Sequence, residues 1–92
     1  MRNAMKLEFL SKSSNEAFAR VAVAAFAAQL DPTVEEIAEL KTAVSEAVTN
    51  AVIHGYGGGG GTIYIECDFE ENKLTLIVRD MGKGIEDIER AR

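Results

Sequence analysis

Between residues 62 and 80 the chain carries two apolar alternations separated by a short polar turn. Ile63, Ile65, Cys67 and Phe69 alternate with Tyr64, Glu66 and Asp68; after 70–73, Leu74, Leu76 and Val78 again take every second position. Successive strand residues point to opposite faces, so each run has one apolar face, and the pair predicts a β-hairpin. That face has to be covered. The segments available to cover it are two helical stretches upstream, which makes the expected fold α+β, with helices on one face of a mainly antiparallel sheet. At 92 residues the chain is expected to form a single domain over 1–92.

Upstream, Met5, Leu7 and Phe9 alternate with Lys6 and Glu8, predicting a first strand. Ser13 and Glu16 have capping-box spacing, and a helix is expected from about 14 to 29. It is apolar on nearly all sides except at Arg20, so both sides are expected to meet protein. Asp31-Pro32-Thr33 interrupts the pattern. Thr33 and Glu36 repeat the capping-box spacing before a second helix, whose apolar positions include Ile37, Leu40, Val44, Val48 and Ala51. Gly55 is its expected stop. The glycine run 57–61 reads as a connector, because a phosphate-binding Walker loop would open a helix with Lys-Ser or Lys-Thr, whereas Thr62 opens a strand. A last helical start is expected near Ile85. The predicted order is therefore β-α-α-β-β with a helical end.

The net charge of −5 argues against a nucleic-acid surface, which needs clustered cations to replace phosphate counterions. The apolar run 17–30 is too short to cross a bilayer and contains Arg20, so no membrane segment is expected. Residues 1–16 lack a signal-peptide pattern, and Cys67 is alone, which together predict a cytoplasmic protein with a buried, unpaired thiol.

Two places carry polar groups that need partners. On the second helix, Glu46, Asn50 and His54 recur every four residues, and at about 100° per residue they form one slanted stripe. Taken alone, the stripe reads as a solvated face. At the end of the hairpin, Asp80 shares parity with Leu74, Leu76 and Val78, which turns its carboxylate toward the core side; Gly82 and Gly84 follow. Taken alone, this reads as a strand ending in an Asp-Gly turn. Brought together by the packing of helix on hairpin, the two places would line one cleft suited to a purine nucleotide.

EAVTN at 46–50 resembles the N box of the GHKL ATPase and kinase superfamily, and DMGKG at 80–84 resembles its first glycine box, D-x-G-x-G. The lead-in SEAVTNAVIHGY and the spacing of the boxes are similar to the anti-sigma-factor serine kinases of sporulation, over essentially the whole chain. The resemblance implies a two-layer sandwich of the Bergerat type, here incomplete at its C-terminal end. It implies ATP or ADP with Mg²⁺ as cofactors. Asn50 would coordinate the Mg²⁺, and Glu46 would be the general base toward a substrate serine. Asp80 would accept a hydrogen bond from the adenine amino group, Gly82 and Gly84 would let the base approach, and His54 would lie near phosphate or ribose. It further implies binding and inhibition of a sigma factor, phosphorylation of an anti-anti-sigma protein, and a homodimer. Arg20 is a candidate partner contact. The second glycine box and the lid of this family have no counterpart before Arg92, so a chain of this length is expected to keep an adenine pocket and to be a poor kinase. The alternatives are a non-catalytic partner-binding fragment and an α/β scaffold that binds no nucleotide.

Overall fold

The computed structural model describes residues 2–55, 61–80 and 85–91, with side chains described for 2–53 and 61–80. The chain runs β1 (Arg2–Leu10), α1 (Asn15–Ala27), a 3-10 turn (Ala28–Leu30), α2 (Val34–Asn50), a π-helical turn (Ala51–Gly55), β2 (Thr62–Glu70), β3 (Lys73–Asp80) and β4 (Ile85–Ala91). The strands form one antiparallel sheet in the order β1-β2-β3-β4. This is an α+β fold, with the helices on one face of the sheet.

The register explains the layering. Leu7 pairs with Ile65, which pairs with Val78; Phe9 pairs with Ile63, and Cys67 with Leu76. All lie on one face, and Ile63, Ile65, Cys67, Phe69, Leu76 and Val78 are buried there. Ala19, Val23 and Ala27 of α1 and Leu40, Val44, Ala47 and Val48 of α2 complete the same core. Phe26 of α1 meets Phe69 of β2 with ring centroids 5.3 Å apart and planes inclined by 44°, an arrangement aromatic pairs favour. The β2–β3 turn places Glu71 in the left-handed region, φ 57°. A residue with a Cβ does so at a cost of roughly 1–2 kcal/mol, which the two flanking ladders offset.

The start of α2 follows its sequence closely. Thr33 Oγ1 accepts from Glu36 N at 3.0 Å, and Glu36 Oε1 accepts from Thr33 N at 2.7 Å, a complete capping box. The start of α1 does not. Ser14, not Ser13, is the N-cap and makes no side-chain cap bond; the Glu16 carboxylate instead meets Arg20 and Ser45. A carboxylate with charged and cross-helix donors in reach is taken from its local backbone partner.

A further expectation is corrected. The segment from Ile85 is a strand paired with β3, from Lys73 opposite Ala91 to Arg79 opposite Ile85. Its helix-like spacing of Ile85 and Ile88 is overridden by the unpaired edge that β3 would otherwise present. Within the single chain the expectation for α1 is met on one side only: Phe18 is 51% and Val21 60% exposed, so the fold itself leaves its outer side uncovered. The glycine connector falls mostly outside the described residues; at its end, Gly61 O accepts from Ser11 N at 2.8 Å, which extends the β1–β2 pairing by one bond.

Candidate nucleotide and partner site

The polar stripe of α2 follows from the position of its apolar stripe. Leu40, Val44, Ala47 and Val48 are buried against the sheet and α1, which leaves Glu46, Thr49 and Asn50 exposed. Glu46 and Asn50, one helical turn apart, line an open depression of about 460 Å³ together with Glu16, Arg20, Ser45 and Thr49. Two helices therefore build it: α1 contributes Glu16 and Arg20, α2 the other four. Glu46 also borders a second depression along α2, of about 450 Å³, with Ala38, Glu39, Thr42 and Ala43. The small side chains Ala38 and Ala43 leave that space open.

One carboxylate organises the first depression. Glu16 Oε2 accepts from Arg20 Nη1 at 3.1 Å, an ion pair one helical turn apart, and also from the hydroxyl of Ser45. The side chains of Arg20 and Glu16 are 39% and 25% exposed, so the pair is half sheltered. Arg20, expected as a partner contact, thus shares a surface with Glu46 and Asn50, expected as nucleotide groups. Ser45 and Thr49 were not singled out by their sequence positions, and Glu16 was read only as part of a helix cap. The i, i+4 spacing of Glu16 and Arg20 carries a signal for that pair. Ser45 carries none, because its partner is 29 residues away and is brought to it by helix packing.

The other predicted residues stand elsewhere or outside the described set. Asp80 ends β3 opposite Ile63, on the core-facing side of the sheet, and is half-buried. It is not among the described residues lining either depression. The turn Ala51–Gly55 that prolongs α2 does pack against β3, so the polar end of the helix leads toward the strand that carries Asp80. Gly82 and Gly84 lie outside the described residues, as does the side chain of His54. The backbone of His54 belongs to the π-turn, whose wider i→i+5 winding departs from the α-helical phase that would stack it over Asn50.

No group of three or more His, Cys, Asp or Glu residues among the described residues could hold a metal ion unaided. An exposed amide oxygen such as that of Asn50 suits Mg²⁺ differently: this ion usually takes one or two protein oxygens and completes its shell with phosphate oxygens and water. The donor set fits a magnesium-nucleotide and not a free-standing metal centre. Away from the site, burial pushes the Cys67 thiol up to about 12, with a smaller contribution from neighbouring Asp68, which marks it as a core group and not a nucleophile. No described helix is long and apolar enough to cross a membrane.

Comparison with known proteins agrees with the resemblance carried by the two boxes. The chain is 63% identical to the anti-sigma F factor of Clostridium novyi (strain NT) over 90 residues, which is 97% of the chain and 63% of that protein. It is 66% identical to the anti-sigma F factor of Thermoanaerobacter sp. (strain X514) over 89 residues, 97% of the chain and 62% of that protein. Its identity to the anti-sigma F factor of Clostridium botulinum (strain Eklund 17B / Type B) is 63% over 87 residues, 94% of the chain and 61% of that protein. The chain thus spans about three-fifths of the length of these relatives. A family model described as a histidine kinase-like ATPase domain matches residues 10–92. With its two helices laid on an antiparallel sheet and its match running from the end of β1 through β4, the chain belongs to the histidine kinase-like ATPase family, of the GHKL type.

Proposed function

We propose that this chain is the nucleotide-binding part of an anti-sigma factor that binds and inhibits a sporulation sigma factor and uses ATP to phosphorylate a serine of an anti-anti-sigma protein. The observation that carries the reading is the exposure of Glu46 and Asn50, one turn apart, in a depression that also contains Arg20. A phosphoryl-transfer site needs a base that can reach an incoming hydroxyl and a neutral oxygen donor for a magnesium-nucleotide, both open to a large substrate. Glu46 would take the proton from the serine hydroxyl, and Asn50 would hold the Mg²⁺, which when bound neutralises charge on the phosphates.

The remaining roles follow the same frame. Asp80 would accept from the adenine 6-amino group; guanine presents a carbonyl there, and two acceptors would repel. Gly82 and Gly84 would let the base lie close to the backbone, and His54 would stand near phosphate or ribose. Arg20 would contact the sigma factor or the anti-anti-sigma protein, so that docking and chemistry occur side by side. The exposed Phe18 and Val21 of α1, with Leu10 of β1, support a homodimer interface. A cytoplasmic location fits these partners, with no direct contact to nucleic acid or membrane.

A second reading is a partner-binding module without phosphate transfer, which the presence of Arg20 in the same depression also supports. Calorimetric titration with Mg-ADP and Mg-GDP tests nucleotide binding: the expected result is binding of the adenine form alone, and equal binding or none would sink the proposal. Transfer of radiolabelled phosphate to the serine-bearing partner then separates the kinase from the binding fragment.

A further inference from the structure

Arg20 has a long, flexible side chain on the outer part of α1. An i, i+4 ion pair on a half-exposed helix surface stabilises only weakly, too little by itself to hold such a side chain in one place. The Glu16 carboxylate differs from an ordinary surface acceptor in being tied from a second helix. Its Oε2 accepts from Ser45 of α2 as well as from Arg20 of α1. Ser45 directly precedes Glu46, and all four residues line the same depression.

We propose that Glu16 is a positioning residue: anchored by the Ser45 hydroxyl, its carboxylate holds the Arg20 guanidinium beside Glu46 and Asn50. The proposal rests on the functional reading above for its consequence, since it supplies the geometry in which docking through Arg20 brings a substrate serine to Glu46. The bond to Glu16 engages Nη1, one corner of a guanidinium with five N–H donors. Ordering the side chain in advance lowers the entropy lost when a partner docks. Glu16 touches neither the nucleotide phosphate nor the substrate serine in this scheme and acts only through Arg20.

Two measurements on the intact chain test it. The first is the ¹⁵N order parameter of the Arg20 Nε–H group. It falls in Glu16→Gln and in Ser45→Ala, and Ser45→Thr, which keeps the hydroxyl, restores it. An Arg20 side chain as ordered in Ser45→Ala as in the parent overturns the proposal. The second is the kinetics of phosphate transfer to the anti-anti-sigma protein. Glu16→Gln raises KM for that protein by about three- to tenfold, with kcat and Mg-ADP affinity unchanged, and adds nothing further in an Arg20→Ala background. A merely structural role would instead lower the melting temperature and act additively with Arg20→Ala, and that result too overturns the proposal. Failure of the parent chain to bind Mg-ADP refutes the functional reading alone; the order-parameter series still decides whether Glu16 positions Arg20.

Discussion

Asp80 closes β3 directly opposite Ile63 of β2, whose side chain is fully buried, so the last carboxylate of the strand sits on the core-facing side of the sheet. In that position Asp80→Asn is expected to abolish discrimination between the nucleobases. An amide offers both donor and acceptor, so the repulsion of the guanine carbonyl is lost along with the charged acceptor for adenine. Affinity for Mg-ADP should fall about ten- to a hundredfold, the range for losing a hydrogen bond to a charged group. Paired calorimetric titrations with Mg-ADP and Mg-GDP check both effects, and an unchanged preference for adenine removes Asp80 from base recognition.

Glu46 lies on the exposed side of α2. Glu46→Gln should therefore leave the melting temperature nearly unchanged and Mg-ADP binding intact, while slowing phosphate transfer by roughly a hundred- to ten-thousandfold, the usual contribution of a general base. Full transfer by this variant, measured by single-turnover phosphorylation of the partner serine, rules out the role.

The two helix starts have matching Ser/Thr-x-x-Glu spacing but different caps. Thr33→Ala removes a formed capping box and is expected to cost about 1 kcal/mol, a drop of roughly 4–8 °C in melting temperature for a domain of this size. Ser13→Ala removes no cap bond and should stay within about 0.5 kcal/mol of the parent. Thermal denaturation of both variants by circular dichroism decides, and equal losses would contradict the capping assignment.

Cys67 is buried at the centre of β2, and its thiol is pushed up to about 12 from an ordinary 9.0, chiefly by burial. A group that holds its proton more tightly when folded contributes stability in full below the ordinary value and loses it as pH rises toward the folded value. Stability should accordingly decline between about pH 9 and 12, and Cys67→Ala should flatten this part of the profile while lowering stability at neutral pH. Chemical denaturation at a series of pH values measures the slope. Reaction of the native protein with a thiol alkylating reagent at pH 8 should be slow.

What could be read in the chain before its coordinates was what is local or periodic. The alternation of 63–69 and 74–78 specified the hairpin and its buried face, and Thr33 with Glu36 marked the start of α2. Glu46 and Asn50 emerged as a shared exposed stripe because a single helix places them. The features missed are long-range. Ser13 and Glu16 spelled a cap, but Ser45, brought in by packing, competes for the Glu16 carboxylate. Ile85 and Ile88 have helical spacing, yet the open edge of β3 recruits the segment as β4. Arg20 belongs with Glu46 only because α1 lies along α2, a relation that no spacing within either helix encodes.

The wide turn at Ala51–Gly55 has a consequence for engineering this chain. A π-turn behaves as one surplus residue accommodated within a helix. Deleting a single residue there would let ordinary winding absorb the surplus, with the helical phase of α2 kept. The protein should therefore tolerate such a deletion better than one inside Val34–Asn50, which would turn one part of the helix by about 100° against the other and pull its buried stripe off the sheet.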